Sequence, residues 1–273
     1  MYEQIRYEVA DPMATITLNR PQALNAWTDR MASEVKHAIA RAESDPNAVA
    51  IVITGEGRGF CAGADLNDLK DISEGERDAG VPAGLDADPG DPSLGEDFRG
   101  TYTYLLSVRK PVIAAINGAA AGMAVPIALC CDLRFASEKA LFTLAFSKRG
   151  LIAEWGSAWL LPRLVGPSHA LDLLWSSRKV DAQEALRIGL VNRVLPHDEL
   201  MPAVRKYAAD LAAECSPTSL AIMKRQVWQQ MTRELGPSEK EAVKLMIESF
   251  DRPDFREGVM SFLEKRPPKF RRI

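Results

Sequence analysis

Two short runs of uninterrupted apolar residues constrain this chain most. VAIVIT (residues 49–54) and PVIAAI (111–116) hold no polar side chain except the closing Thr54. A strand with one wet face alternates apolar and polar residues. A continuous apolar run bounded by turn signals instead reads as a strand covered on both faces. VAIVIT leads through GEG into GRGFCAGADL (58–67), and PVIAAI runs directly into INGAAAGMAVPIALCCDL (116–133). In both stretches Gly and Ala crowd out other side chains before a helix-like apolar segment follows. Strands separated by helices make an α/β domain.

The flanking segments agree. YEVADPMATITLNRP predicts two short strands around Asp11-Pro12, with alternation in Ala14, Ile16 and Leu18. Trp27, Met31, Val35, Ala38, Ile39 and Ala42 recur at three- and four-residue steps, predicting an amphipathic helix with Thr28 as N-cap. LRFASEKALFTL (133–144) reads as a further region of strand, and from Ser157 onward the pattern is helical. The expected division is an α/β core over 1–193 and a helical C-terminal region over 194–273. Residues 74–100 stand apart, with six Gly, three Pro and eight acids against only Arg77 and Arg99. They predict a mobile, solvated insertion, with a lid over a site as the alternative.

Composition excludes several classes. Lys plus Arg is 34 and Asp plus Glu is 37, a net charge of −3, which gives no footprint for nucleic acid or an anionic membrane. No apolar run reaches the roughly 18 residues of a membrane span, and MYEQIRYEVADP has no secretory signal pattern. The four cysteines form no CxxC and have no His at metal-ligand spacing. Reduced thiols in a cytoplasmic protein, with no metal and no redox cofactor, are therefore expected.

Where side chains are nearly absent, chemistry falls to the backbone. Ala64 after Gly63, and Met123 after Gly122, are each expected to open a helix with an unpaired N–H strengthened by the helix dipole. Two such donors aimed at one point stabilise a developing oxyanion. Close packing of helix on sheet is the alternative use of these glycines and alanines.

Five blocks in order along nearly the whole chain carry a resemblance: LNRPQALNAW (18–27), GRGFCAGADL, INGAAAG with CCDLRFAS, GLVNRVLP (189–196) and FLEKRPPKF (262–270). Together they resemble the crotonase superfamily, the enoyl-CoA hydratases and isomerases. The resemblance implies a spiral of ββα units, a C-terminal helical trimerisation region and an acyl-CoA thioester substrate, with a homotrimer or hexamer as the assembly. It implies that the N–H groups of Ala64 and Met123 hold the thioester oxygen. It also implies that Ala23, Leu24, Ala62, Ala64, Asp65 and Leu66 line the CoA groove. Phe262 and Lys265 are expected at the adenosine or 3′-phosphate end, on a neighbouring subunit.

The chain departs from the hydratase pattern at two positions. Where hydratases of the family carry two glutamates, this sequence has Pro126 and Phe146, neither of which moves a proton. One acid remains nearby: Glu154, between Leu151-Ile152-Ala153 and Trp155. Apolar neighbours raise a carboxylate's pKa, which suits a general base near neutral pH, and the position matches the catalytic acid of the Δ3,Δ2-enoyl-CoA isomerases. The bland alternative is an acid that complements a helix N-terminus. Phe146, Trp155 and Pro126 are expected to shape the acyl pocket. Asp65 is expected to cap its helix, and Asp132 to be structural. His37, His169 and His197 have no context as bases, and Ser157 lies in no GxSxG elbow.

Isomerisation by one proton-shuttling carboxylate is thus expected ahead of hydration. A non-catalytic acyl-CoA-binding oligomer is the alternative of another class, and a CoA-thioester hydrolase or lyase is a third.

Overall fold

The computed structural model describes residues 2–75 and 81–273. Its strands form two sheets. β1 (Ile5–Ala10), β2 (Met13–Leu18), β3 (Ala50–Gly55), β5 (Val112–Ile116), β7 (Leu133–Ser137) and β10 (Arg193–Leu195) lie side by side in that order. The first pair is antiparallel and every later pair is parallel. β4 (Gly59–Cys61), β6 (Ala119–Ala121), β8 (Leu141–Thr143) and β9 (Val180–Asp181) form the smaller sheet, with only the last pair antiparallel.

The chain passes repeatedly from the large sheet to the small one and then into a helix. β3 and β4 lead to α2 (Leu66–Ser73), and β5 and β6 lead to α3 (Ala124–Leu129). β7 and β8 lead to α4 (Ser157–Val165) and α5 (Pro167–Ser176). This is the expected spiral of ββα units. Its central strands carry the apolar runs: every residue of β5 is buried, as are five of the six in β3. Such strands have no wet face, so alternation would cost buried polar groups.

α1 (Asp29–Ser44) follows its sequence pattern closely. The Thr28 hydroxyl accepts the Met31 N–H at 3.1 Å, capping the helix. Met31, Val35, Ala38, Ile39 and Ala42 face the core. Two acids on the same helix are also buried. Glu34 accepts N–H bonds from Glu3, Gln4 and Ile5, tying the entry of β1 to α1. Glu43 accepts those of Gly90 and Arg109.

These last bonds bear on residues 74–100, expected as a mobile, solvated excursion. Residues 76–80 lie outside the described part. Over 89–100 the expectation fails. The segment forms two short 3-10 turns, Leu94 and Phe98 are buried in the main core, and Glu43 and Ser107 hold its backbone. Two apolar anchors outweigh the acidic composition around them, because Asp91, Glu96 and Asp97 all reach water.

α6 (Ala182–Arg187) precedes β10. Four longer helices follow: α7 (Leu200–Glu214), α8 (Pro217–Gln230), α9 (Leu235–Phe250) and α10 (Pro253–Leu263). α7 packs Leu200, Val204 and Ala208 under the large sheet. α8 is pinned by Lys224, whose ammonium reaches Asp132 at 2.7 Å and donates to the Leu105 and Lys110 carbonyls. Among the described residues no helix is long and apolar enough to cross a membrane.

Candidate active site

A cavity of about 800 Å³ opens where the two Gly/Ala stretches meet the loop before α4. Gly63 and Gly122 bring the stretches together. A Cβ on Gly63, where φ is +96°, would lie 2.9 Å from the Ala121 carbonyl oxygen and 3.6 Å from the Gly122 Cα. Only glycine permits that approach.

The residue after each glycine presents a free amide. Trp27 pairs with Ala64 as a parallel bridge: Trp27 N–H donates to the Gly63 carbonyl at 2.7 Å, and Asp65 N–H donates to the Trp27 carbonyl at 2.9 Å. That ladder uses the polar groups of residues 63 and 65 and turns the N–H of Ala64 away. On the other side, Gly122 N–H donates to Thr143 and Val125 N–H to the Gly122 carbonyl, leaving Met123 N–H between them. Neither Ala64 nor Met123 N–H has an acceptor among the described residues. Ala64 does not open a helix as expected. α2 starts at Leu66 with Asp65 as its N-cap, so strand pairing, rather than a helix start, frees that amide. Met123 is the N-cap of α3.

Two carboxylates line the cavity, and only one is uncommitted. Asp65 accepts the Asn67 N–H at 3.0 Å and the Arg20 guanidinium at 2.8 Å. Burial pushes its pKa up, but these donors outweigh burial and hold it below the ordinary value. Glu154 has no ion-pair partner among the described residues. Burial raises its pKa, with a smaller opposing pull from the Trp155 indole. The loop presenting it is held from behind. Ser157, fully buried, donates both its N–H and its hydroxyl to the Glu154 carbonyl. Trp155 and Gly156 both take left-handed backbone, at φ +56° and +78°, a costly conformation for a tryptophan.

The chain as a whole matches the model of the "Enoyl-CoA hydratase/isomerase" family over residues 8–272. It belongs to the enoyl-CoA hydratase/isomerase family. A probable enoyl-CoA hydratase of Rhodobacter capsulatus is 37% identical over 269 residues, 98% of each chain. The 1,2-epoxyphenylacetyl-CoA isomerase of Escherichia coli K12 is 35% identical over 278 residues, 99% of each. Among solved structures, a putative enoyl-CoA hydratase/isomerase family protein from Hyphomonas neptunium superposes with a TM-score of 0.85 at 32% identity, covering 98% of this chain and 97% of that one. Crotonase-fold enzymes of this family act on acyl-CoA thioesters, and the chain is an enzyme of that kind.

Of the residues expected from sequence, Ala23, Ala62, Ala64, Asp65, Leu66, Met123, Phe146, Glu154 and Trp155 all line this family member's cavity. Four do not. Leu24 sits behind the wall in left-handed backbone and accepts the Ala62 N–H at 2.9 Å. Pro126 is buried inside α3 at its third residue, where a missing N–H leaves no helical bond unmade. Phe262 is 83% exposed on α10 and lines a separate cavity of about 570 Å³ with Arg252, Phe255 and Phe270. Lys265 is exposed just beyond α10. Within one chain, neither of these two meets the main cavity. Ile152, expected against Glu154, is 79% exposed and is not part of the cavity wall.

Three residues were missed. Arg20 lines the cavity and ties Asp65 to the Ala26 carbonyl. Arg149 lines it with no acid in ion-pair reach among the described residues. Tyr102 stands behind Met123. The Arg20 signal was present in LNRPQ; Tyr102 came from a segment without periodicity. Cys61 sits beside the wall, but burial pushes its thiol up to about 12, which removes it as a nucleophile. No group of three or more His, Cys, Asp and Glu placed to hold a metal occurs among the described residues.

Proposed function

We propose that the protein is a Δ3,Δ2-enoyl-CoA isomerase in which Glu154 shuttles one proton. The observation that carries this reading is the single uncommitted carboxylate in a cavity that also presents two free amides. The thioester oxygen accepts hydrogen bonds from Ala64 and Met123 N–H. Glu154, as carboxylate, takes a proton from C2, and the electron pair delocalises onto that oxygen as the enolate. Collapse of the enolate moves the double bond to C2–C3, and Glu154 returns the proton at C4. No water is consumed. Both donors are held by the backbone bonds of their neighbours before charge develops, so little reorganisation opposes the step. Burial raises the Glu154 pKa, which strengthens it as a base.

Ala23, Ala62 and Leu66 then flank the pantetheine arm, while Phe146, Trp155 and Leu151 surround the acyl chain. Phe262 and Lys265 meet CoA only when a neighbouring copy supplies them. The exposed apolar side chains of α9 and α10, with Leu235 85% and Phe262 83% exposed, support a homotrimer or hexamer, read by light scattering. The four free cysteines support a cytoplasmic location.

Hydration of 2-enoyl-CoA is the second reading, favoured by relatives that carry hydratase names, among them a crotonyl-CoA hydratase of Syntrophomonas wolfei, 33% identical. The two are separated by giving the wild-type enzyme trans-3-enoyl-CoA and, separately, trans-2-enoyl-CoA. Appearance of the conjugated thioester from the first supports isomerisation. Consumption of the second alone assigns hydration.

A further inference from the structure

Tyr102 touches both sides of the cavity without lining it. The residue is 7% exposed and lies between the packed 89–100 segment and β5. Its hydroxyl accepts the Trp27 indole N–H at 3.0 Å and donates to the Met123 thioether at 3.6 Å. Its ring meets Trp155 edge-on, with centroids 5.2 Å apart and planes at 79°, and meets Trp27 at 5.8 Å and 75°. Met123 carries one of the free amides. Trp155 follows Glu154 directly, in left-handed backbone. One buried side chain therefore buttresses the residue that carries an oxyanion donor and the residue next to the base.

The support behind Tyr102 is buried and hydrogen-bonded. The following turn buries Tyr104, Leu105 and Leu106. Lys224 of α8 donates to the Leu105 carbonyl at 3.0 Å. Trp27, which holds the hydroxyl, is itself clamped to residues 63 and 65 by the bridge that frees the Ala64 amide. The contacts of Tyr102 thus reach all three groups assigned to the reaction: Ala64 through Trp27, Met123 directly, and Glu154 through Trp155.

We infer that Tyr102 is a positioning residue that fixes the separation between the oxyanion donors and the Glu154 carboxylate. It acts through Met123, Trp27 and Trp155 and touches no substrate. The inference rests on the proposed roles of Ala64, Met123 and Glu154. Its physical basis is the steep dependence of proton transfer on geometry, where a misplacement of about 1 Å costs on the order of 100-fold in rate. Binding of the CoA thioester, spread over the whole groove, depends far less on that one distance.

The test compares full-length wild type with Tyr102→Phe, which keeps the ring and removes the hydroxyl, and Tyr102→Leu, which removes both contacts. Each is measured for kcat and KM on trans-3-enoyl-CoA, or on trans-2-enoyl-CoA if that is the substrate turned over. Each is also measured for hexanoyl-CoA affinity by calorimetry. The expected result is a loss of kcat of about 10-fold in Tyr102→Phe and about 100-fold in Tyr102→Leu, with KM and hexanoyl-CoA affinity within about twofold of wild type. Wild-type kcat in Tyr102→Phe overturns the inference. So does a parallel fall in kcat and hexanoyl-CoA affinity, which describes general loosening of the site. If Tyr102→Leu fails to fold, Trp27→Phe reads the same network from its other end, with the same split expected. Glu154→Gln run alongside keeps the two ideas apart: retained turnover there refutes the base assignment, whereas wild-type kcat in Tyr102→Phe refutes the positioning role.

Discussion

Gly63→Ala is the substitution whose effect the structure specifies most fully. The added Cβ lies 2.9 Å from the Ala121 carbonyl oxygen, about half an ångström inside ordinary contact. The backbone φ of +96° adds strain of about 1–3 kcal/mol for a residue with a side chain. Relief requires the two Gly/Ala stretches to move apart, and that carries the Ala64 amide away from the Met123 amide. Loss of one preorganised donor costs about 100- to 1000-fold in kcat, or about 2.7–4 kcal/mol. The expected result is a kcat loss of at least ~100-fold, with a fall in Tm of about 3–10 °C from the strain. Gly166→Ala is the control. Gly166 also has positive φ, at +80°, but nothing lies within 4 Å of the Cβ position, and it sits between α4 and α5, away from the cavity. It should lower Tm and leave kcat unchanged. Full activity in Gly63→Ala, or an equal kcat loss in Gly166→Ala, refutes the assignment of the Ala64 amide.

Three further expectations follow from the charges. Burial raises the Glu154 pKa, so kcat/KM should fall on the acid side with an apparent pKa above the ordinary carboxylate value, and a profile of wild type should show that limb. The same shift means the folded protein loses stability as pH rises through the raised pKa, since the unfolded chain gives up that proton more readily; Glu154→Gln should therefore melt no lower than wild type at neutral pH. Asp65→Ala removes the N-cap of α2 and the Arg20 partner. It should cost about 1 kcal/mol for the cap alone, a Tm decrease of about 3 °C by calorimetry, and it should loosen the cavity wall enough to raise KM.

Most of the frame was legible because it rests on burial. α1 announced itself by apolar spacing and a Thr cap, and β3 and β5 by runs that tolerate no polar residue. β4 and β6 were hidden. GFC and AAA are three residues each, too short and too small to alternate, and their strand character comes from pairing with each other. The Ala64 amide is free for a reason other than the one expected. The free donor was expected from a helix start, and it arises from the Trp27 bridge, a contact across 37 positions that no local pattern encodes. Leu94 and Phe98 misled in the other direction, since two anchors among many acids and glycines leave no periodicity. Glu154 and Phe146 stand in the cavity wall, the region where the family resemblance puts proton-moving groups. Tyr102 gives no such signal, because it joins the site through Trp27, a partner distant in sequence, and Arg20 stands inside the LNRPQ block but meets Asp65 only in the fold.

The most direct measurement is turnover of trans-3-enoyl-CoA by wild type and Glu154→Gln, with hexanoyl-CoA affinity measured on both proteins. Glutamine preserves the side-chain shape and removes the base. The expected result is conversion to the conjugated thioester by wild type, a loss of at least ~100-fold in the variant, and unchanged affinity. A variant that isomerises at the wild-type rate, with the cavity still binding its thioester, would contradict the single-carboxylate mechanism.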